Sequence, residues 1–316
     1  MRKETKQAKA ATINSISGYH GGIWTEDYAF AGFKANKYFT SDRFIPLDAV
    51  FTRPDGKPLK GFGLEIECEC SGIGNATVLA EVLHKVIFSH FPADLFKLQR
   101  DGSLGGDSSA ECITQVMTKE FIRNNYAAFK LMYDTYFPAF GISCGRNCGM
   151  HVNLSNALFG TNEKTQTEAV RKLYYIVNRH YDFCAALLHR DRSATGYCRR
   201  MSADKETVRR MDFADVDGGH GVCFNLDHWR TGRVELRLVG GQKNFPCFRN
   251  TMESVFFLID AVKRISWNDC DDLTAIFSGC NQYVFDRIKS FCYNAGTITS
   301  AQVEAIRLTV KREDLL

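Results

Sequence analysis

Alternation of apolar and charged positions is the strongest signal along the chain. It recurs in Gly63-Leu64-Glu65-Ile66-Glu67-Cys68-Glu69, in Cys148-Gly149-Met150-His151-Val152-Asn153-Leu154 and in Arg233-Val234-Glu235-Leu236-Arg237-Leu238. Successive side chains of a strand point to opposite faces. Leu64, Ile66 and Cys68 are therefore predicted on a core face, with Glu65, Glu67 and Glu69 on the other. Met150, Val152 and Leu154 stand in the same way against His151 and Asn153, and Val234, Leu236 and Leu238 against Glu235 and Arg237.

Between these runs the periodicity changes. Val78, Leu79, Val82, Leu83 and Val86 recur at helical spacing, which predicts a helix from about Ala76 to Ser89 with Asn75 as its cap. Phe96 to Arg100 reads as a strand, Asp101-Gly102-Ser103 as a turn, and 110–117 as the hairpin partner. Helices are predicted from Lys119 to Phe137 and from Asn162 into the Leu187 region. A hairpin of 220–226 and 233–239 closes around Asp227–Gly232, and helices follow from Pro246, the last capped by Thr299 or Ser300. The stretch from Asp191 to Asp217 is polar, rich in arginine and aperiodic, so it reads as a binding loop. Residues 1–60 read as an irregular arm ending in the Arg53–Pro58 turn. Strands and helices mix without regular βαβ alternation. The expected fold class is α+β, with a largely antiparallel sheet and helices on one face.

Composition narrows the function classes. With 316 residues, 45% of them hydrophobic, the chain can bury a large core, and its net charge of +4 gives no strong electrostatic case for nucleic acid. No apolar run reaches the ~20 residues needed to cross a bilayer, so no membrane partner is expected. The opening Met1-Arg2-Lys3-Glu4-Thr5-Lys6 has no apolar segment behind it, and twelve cysteines without an export signal predict free thiols in the cytoplasm.

The polar rows carry the candidate chemistry. If they share one side of a sheet, carboxylates, an imidazole and a guanidinium converge on one cavity. Carboxylates crowded at low dielectric repel unless cations join them, so a divalent-metal site is the economical reading. Mg²⁺ takes oxygen ligands from separate strands. Glu65, Glu67, Glu111, His151 and Glu235 are the candidate ligands, with Asp101 nearby in sequence. The plainer readings are a solvated strand face, an ordinary Asp-Gly turn, a structural histidine and an exposed Glu235–Arg237 ion pair of little worth. Arg237 could instead grip phosphate. The stretch from Arg190 and Arg192 through Arg199 and Arg200 to Arg209 and Arg210 is either a solvated loop or a source of cations that neutralise charge during phosphoryl transfer. A zinc cluster of Cys144, Cys148 and His151 has spacing off the common pattern, and Cys148 with His151 on one strand is poorly disposed as a nucleophile pair. With no phosphate loop or dinucleotide fingerprint, nucleotide phosphates would have to be held by metals and arginines.

Taken in order, Gly63-Leu64-Glu65-Ile66-Glu67, Asp101-Gly102-Ser103-Leu104 with Glu111, Cys148-Gly149-Met150-His151-Val152-Asn153, Asn225-Leu226 and Val234-Glu235-Leu236-Arg237 resemble the amidoligase family. That family belongs with glutamine synthetase and glutamate–cysteine ligase in the carboxylate–amine ligase fold. Ser17-Gly18-Tyr19-His20 is similar to an upstream motif of some phage-encoded members. The resemblance implies a catalytic domain over 61–265 of the glutamine synthetase type, a curved sheet with helices on its convex face, and a C-terminal helical segment over 266–316 packed on that domain. It also implies ATP with Mg²⁺ or Mn²⁺ as cofactors and carboxylate and amine substrates, which could be small molecules, peptides or protein side chains. Glu67 and Glu111 would hold one metal, and Glu65, His151 and Glu235 another. Arg237 would touch the γ-phosphate, Arg190 or Arg199 the developing charge, and Asp101 would be catalytic. Ser103, Asn225 and Arg200 would join Arg237 around the nucleotide. The family usually has histidine where this chain has Asn153. A phosphotransferase of the same fold, a non-catalytic nucleotide or peptide-binding module and a two-metal nuclease are the rival readings.

Overall fold

The run from Phe62 to Cys70 is the first strand, β1, as its alternation predicts, and its apolar row is sealed: Leu64, Ile66 and Cys68 are at most 1% exposed. It belongs to a computed structural model that describes residues 60–71, 79, 82–91, 95–99, 109–145, 147–190, 197–201, 204–216, 219 and 221–311. The expected arm up to residue 59, the Asn75 cap, the Asp101–Ser103 turn and Arg100 lie outside the described residues. The fold is α+β, with a curved, largely antiparallel sheet. The chain divides into two compact units, Met1–Asn153 with Gly241–Phe245, and Leu154–Gly240 with Pro246–Leu316.

In the first unit, β2 (Phe96–Gln99) and β3 (Ser109–Thr114) form the antiparallel hairpin expected from the sequence. β3 pairs antiparallel with β1 in a register that sets Glu67 opposite Glu111, Glu65 opposite Ile113, and Cys68 opposite Ala110. On the other edge of β1 lie the short β4 (Ile142–Ser143), which the sequence does not announce, and β5 (Met150–Ser155). Leu79 and Leu83 of the predicted stripe are fully buried, whereas its Val82 and Val86 are half-buried and Ile87, outside the stripe, is fully buried. Phe88 and Phe96 stack at 4.3 Å, and Phe91 meets Phe96 and Phe129 edge-on at 5.0 and 4.9 Å. Such ring pairs add about 0.5–1.5 kcal/mol each beyond the area they bury.

The single helix expected from Lys119 to Phe137 is broken. Thr118 caps α1 (Lys119–Asn124) by accepting from Phe121 N, and α2 (Tyr126–Leu131) follows Asn125, whose ψ of 13° leaves the helical well. Asn125 Nδ2 donates to Phe121 O at 2.8 Å, a local bond that competes with helix continuation.

The second unit is mostly helical. Asn162 and Thr165 form a capping box at the start of α3 (Glu163–Arg179). The predicted run continues after a break at His180 as α4 (Tyr181–Leu187). The aperiodic arginine-rich stretch contains a helix that sequence reading did not anticipate, α5 (Lys205–Arg210), capped by Asp204. Its six residues include one buried side chain, Val208, too few to produce a periodic signal. β6 (Phe224–Asn225) and β7 (Arg233–Leu236) make the expected antiparallel hairpin, reversed at Gly232 with φ 94°. After it come α6 (Phe245–Arg264), α7 (Leu273–Phe277), α8 (Gln282–Arg287) and α9 (Ser300–Arg307), the last capped by Thr299 with Gln302.

Arg287, 2% exposed, fastens the end of α4. Its guanidinium donates to Leu187 O at 2.9 Å and Ala186 O at 2.8 Å, and lies 3.5 Å from the centroid of Phe291. Those carbonyls are among the last of a helix, which have no partner within it. The chain turns there through His189, with φ 64°, and passes so close to Gly240 that a Cβ on Gly240 would sit 2.1 Å from His189 O. Arg190 leaves this turn with Nη1 donating to Val239 O at 3.3 Å.

All twelve cysteines are unbridged. Among the described residues no helix is long and apolar enough to cross a membrane.

Candidate metal centre

The register of β1 and β3 builds the centre. Residues directly opposite in an antiparallel pair share a face, so Glu67 and Glu111 stand side by side on the face away from Leu64, Ile66 and Cys68. β5 brings His151 to the same place. Its Nδ1 lies 3.2 Å from Glu65 Oε2, and its Nε2 lies 3.6 Å from Glu67 Oε1. One ligand atom each from Glu67, Glu111 and His151 fall within 4.8 Å of one another. All are buried: Glu65 is 9% exposed, Glu67 7%, His151 6% and Glu111 2%. The solvated-face reading of Glu65 and Glu67 does not hold.

Two amides, the backbone of Gly149 just before β5 and the side chain of Asn153 on it, hold the carboxylates in place. Asn153 Nδ2 donates to Glu65 Oε1 at 2.8 Å, and the Gly149 backbone N–H donates to Glu67 Oε2 in a short bond. Glu67 N returns a bond to Gly149 O at 3.1 Å. Glu65 and Glu67 thus each have one oxygen tied to an amide and the other turned toward an edge of the His151 ring.

That geometry has an electrostatic consequence. A neutral imidazole carries one N–H, so only one of its nitrogens can donate to a carboxylate. The other faces carboxylate oxygen with lone pair against lone pair, unless a proton or a metal cation lies between them. At the 4.8 Å limit, two carboxylate charges repel by about 3–4 kcal/mol at an effective dielectric of about 20. Oxygen-rich ligand sets with a single imidazole suit hard divalent ions such as Mg²⁺ and Mn²⁺.

In the second unit, Asn225 pairs with Glu235 across β6 and β7, and Arg237 follows two residues after Glu235 on the same face. Arg237 Nη1 lies 2.6 Å from Glu235 Oε1, and Asn225 Nδ2 donates to Glu235 Oε2 at 3.1 Å. The three are 1–4% exposed, so the ion pair is buried and not the exposed pair of the plain reading. Arg199 and Arg200 are exposed, and the Arg199 backbone bonds to Gly221 and Cys223 just before β6. Arg190 is half-buried on Val239. Asp101, Ser103 and the Ser17–His20 motif lie outside the described residues.

Cys144 and Cys148 join no cation-sized grouping of ligand atoms among the described residues. Burial, reinforced by Glu69, pushes the Cys148 thiol far above the ordinary range, which suppresses the thiolate a nucleophile needs. Sequence reading missed the tethers from Gly149 and Asn153. A glycine and an amide flanking His151 on one strand were the available signal, but a backbone donor leaves no trace in residue identity.

No model of a known protein family matches the chain, and no curated protein matches it.

Proposed function

We propose that Glu67, Glu111 and His151 bind a divalent cation, Mg²⁺ or Mn²⁺, and that the chain is an ATP-dependent carboxylate–amine ligase. The observation that carries the metal reading is the buried pair of facing carboxylates with an imidazole nitrogen 3.6 Å from one of them. The ligase reading rests on the ordered motifs and their resemblance to amidoligases. The finer fold assignment, a glutamine synthetase-type catalytic sheet with helices on its convex side, belongs to the same proposal.

In this reaction a substrate carboxylate oxygen takes the γ-phosphoryl group of ATP and ADP leaves. An amine nitrogen then bonds to the acyl carbon, phosphate leaves with the C–O electron pair, and the amine gives up a proton. The bound cation supplies charge screening between anions that must meet. The chain's own part is to hold that cation through Glu67, Glu111 and His151. Glu65 and Glu235 are proposed as further metal-binding carboxylates, Arg237 and Asn225 as nucleotide contacts, and Arg190, Arg199 and Arg200 as the cations that balance transferred phosphoryl charge.

Incubation with ATP and Mg²⁺ against panels of amino acids, amines and peptides, read by ADP release and product mass, tests the proposal. The expected result is ADP and phosphate together with a product one water lighter than the sum of its two substrates. ADP with a phosphorylated product would instead establish a phosphotransferase. Metal-dependent ATP binding with no turnover across the panel would establish a binding module. E67Q and E111Q should abolish turnover while the far-ultraviolet spectrum stays that of the unaltered chain.

A further inference from the structure

Asn153 is fully buried, and its side chain is directed at one oxygen of one metal-site carboxylate. An ionised carboxylate only accepts hydrogen bonds, so the NH₂ end of the amide must be the end that faces Glu65. Glu65 uses its remaining oxygen toward His151 Nδ1, and the opposite ring nitrogen faces Glu67. We propose that Asn153 is a positioning residue for cation binding: by fixing Glu65 it fixes the His151 ring. The inference rests on the metal reading above and adds a member to it.

The alternative for a buried asparagine on a strand is plain satisfaction of a polar core position. Two features weigh against that role. The partner is a charged carboxylate, which makes the bond charge-assisted and stronger than a neutral one. The partner also touches the imidazole whose orientation the cation requires. Groups that orient metal ligands from behind typically change metal affinity by about 10–100-fold when removed. A residue serving only the core would alter stability and leave affinity alone.

Asn153→Leu keeps the approximate size and deletes the donor. Asn153→Ser is too short to reach the same oxygen and serves if the leucine variant does not fold. Asn153→His restores a ring N–H on the same strand position. Mn²⁺ binding is measured by calorimetry and by the loss of free-ion paramagnetic resonance signal, with a thermal melt of each metal-free protein as the folding control. The expected result is Mn²⁺ binding weakened about 10–100-fold in Asn153→Leu or Asn153→Ser at unchanged stoichiometry, with at least partial recovery in Asn153→His. Unaltered affinity in a folded Asn153→Leu or Asn153→Ser protein overturns the positioning role and leaves the metal centre standing. Absence of Mn²⁺ binding in the unaltered chain overturns both.

Discussion

The two units each bury glutamate on a strand, and they neutralise it in opposite ways. In the second unit Glu235 has a guanidinium on one oxygen and an amide on the other. In the first unit Glu67 faces Glu111, and Glu65 and Glu67 share a single imidazole. A guanidinium is charged at every ordinary pH and brings its counter-charge with it. An imidazole placed between carboxylates brings a full counter-charge only if protonated. Burial alone therefore says little about function. What sets the two regions apart is the group set against each carboxylate: a guanidinium for Glu235, and an imidazole beside a second, facing carboxylate for Glu67.

The comparison predicts unequal effects for changes of similar size. Arg237→Ala should destabilise the fold by about 3–5 kcal/mol, because it removes the cation from a buried carboxylate. Denaturant unfolding checks this, and a loss below about 1 kcal/mol would erase the contrast. Glu111→Gln relieves repulsion with the facing Glu67, worth about 3 kcal/mol at an effective dielectric of about 20, and so should destabilise metal-free protein by less than Arg237→Ala does. The same substitution should weaken Mn²⁺ binding by at least tenfold. A metal-free Glu111→Gln chain destabilised as much as Arg237→Ala would remove the distinction between the two regions. Asn162→Ala is the smallest change, about 1 kcal/mol from the lost α3 cap. It should leave Mn²⁺ affinity unaltered, which separates stability from binding in the same assay.

Much of this contrast is legible before any coordinates. Period-two alternation placed Glu65, Glu67, His151 and Glu235 on strands, because a buried apolar row fixes register and sends the intervening residues to the other face. The cap of the last helix was readable from side-chain chemistry as Thr299 or Ser300, and it is Thr299. Other features depend on tertiary context. The pairing of Glu67 with Glu111 is a matter of cross-strand register, and nothing local in either segment states it. The break at Asn125 follows from one side-chain bond competing with the helix, and α5 is too short to show a period. The Gly149 donor belongs to the backbone and has no sequence signature. The exposed Arg199 and Arg200 illustrate the converse: an arginine-rich stretch announces charge without saying where it points.

The central claim is that buried facing carboxylates and His151 form a cation site, and the most direct test is the stability gained on adding Mn²⁺. At about 100 times its dissociation constant, a specific ion should stabilise the unaltered chain by about 2.7 kcal/mol. In the Glu67→Gln/Glu111→Gln double variant at the same concentration the gain should vanish. An unaltered chain indifferent to Mn²⁺, or a double variant stabilised as strongly, would contradict the account.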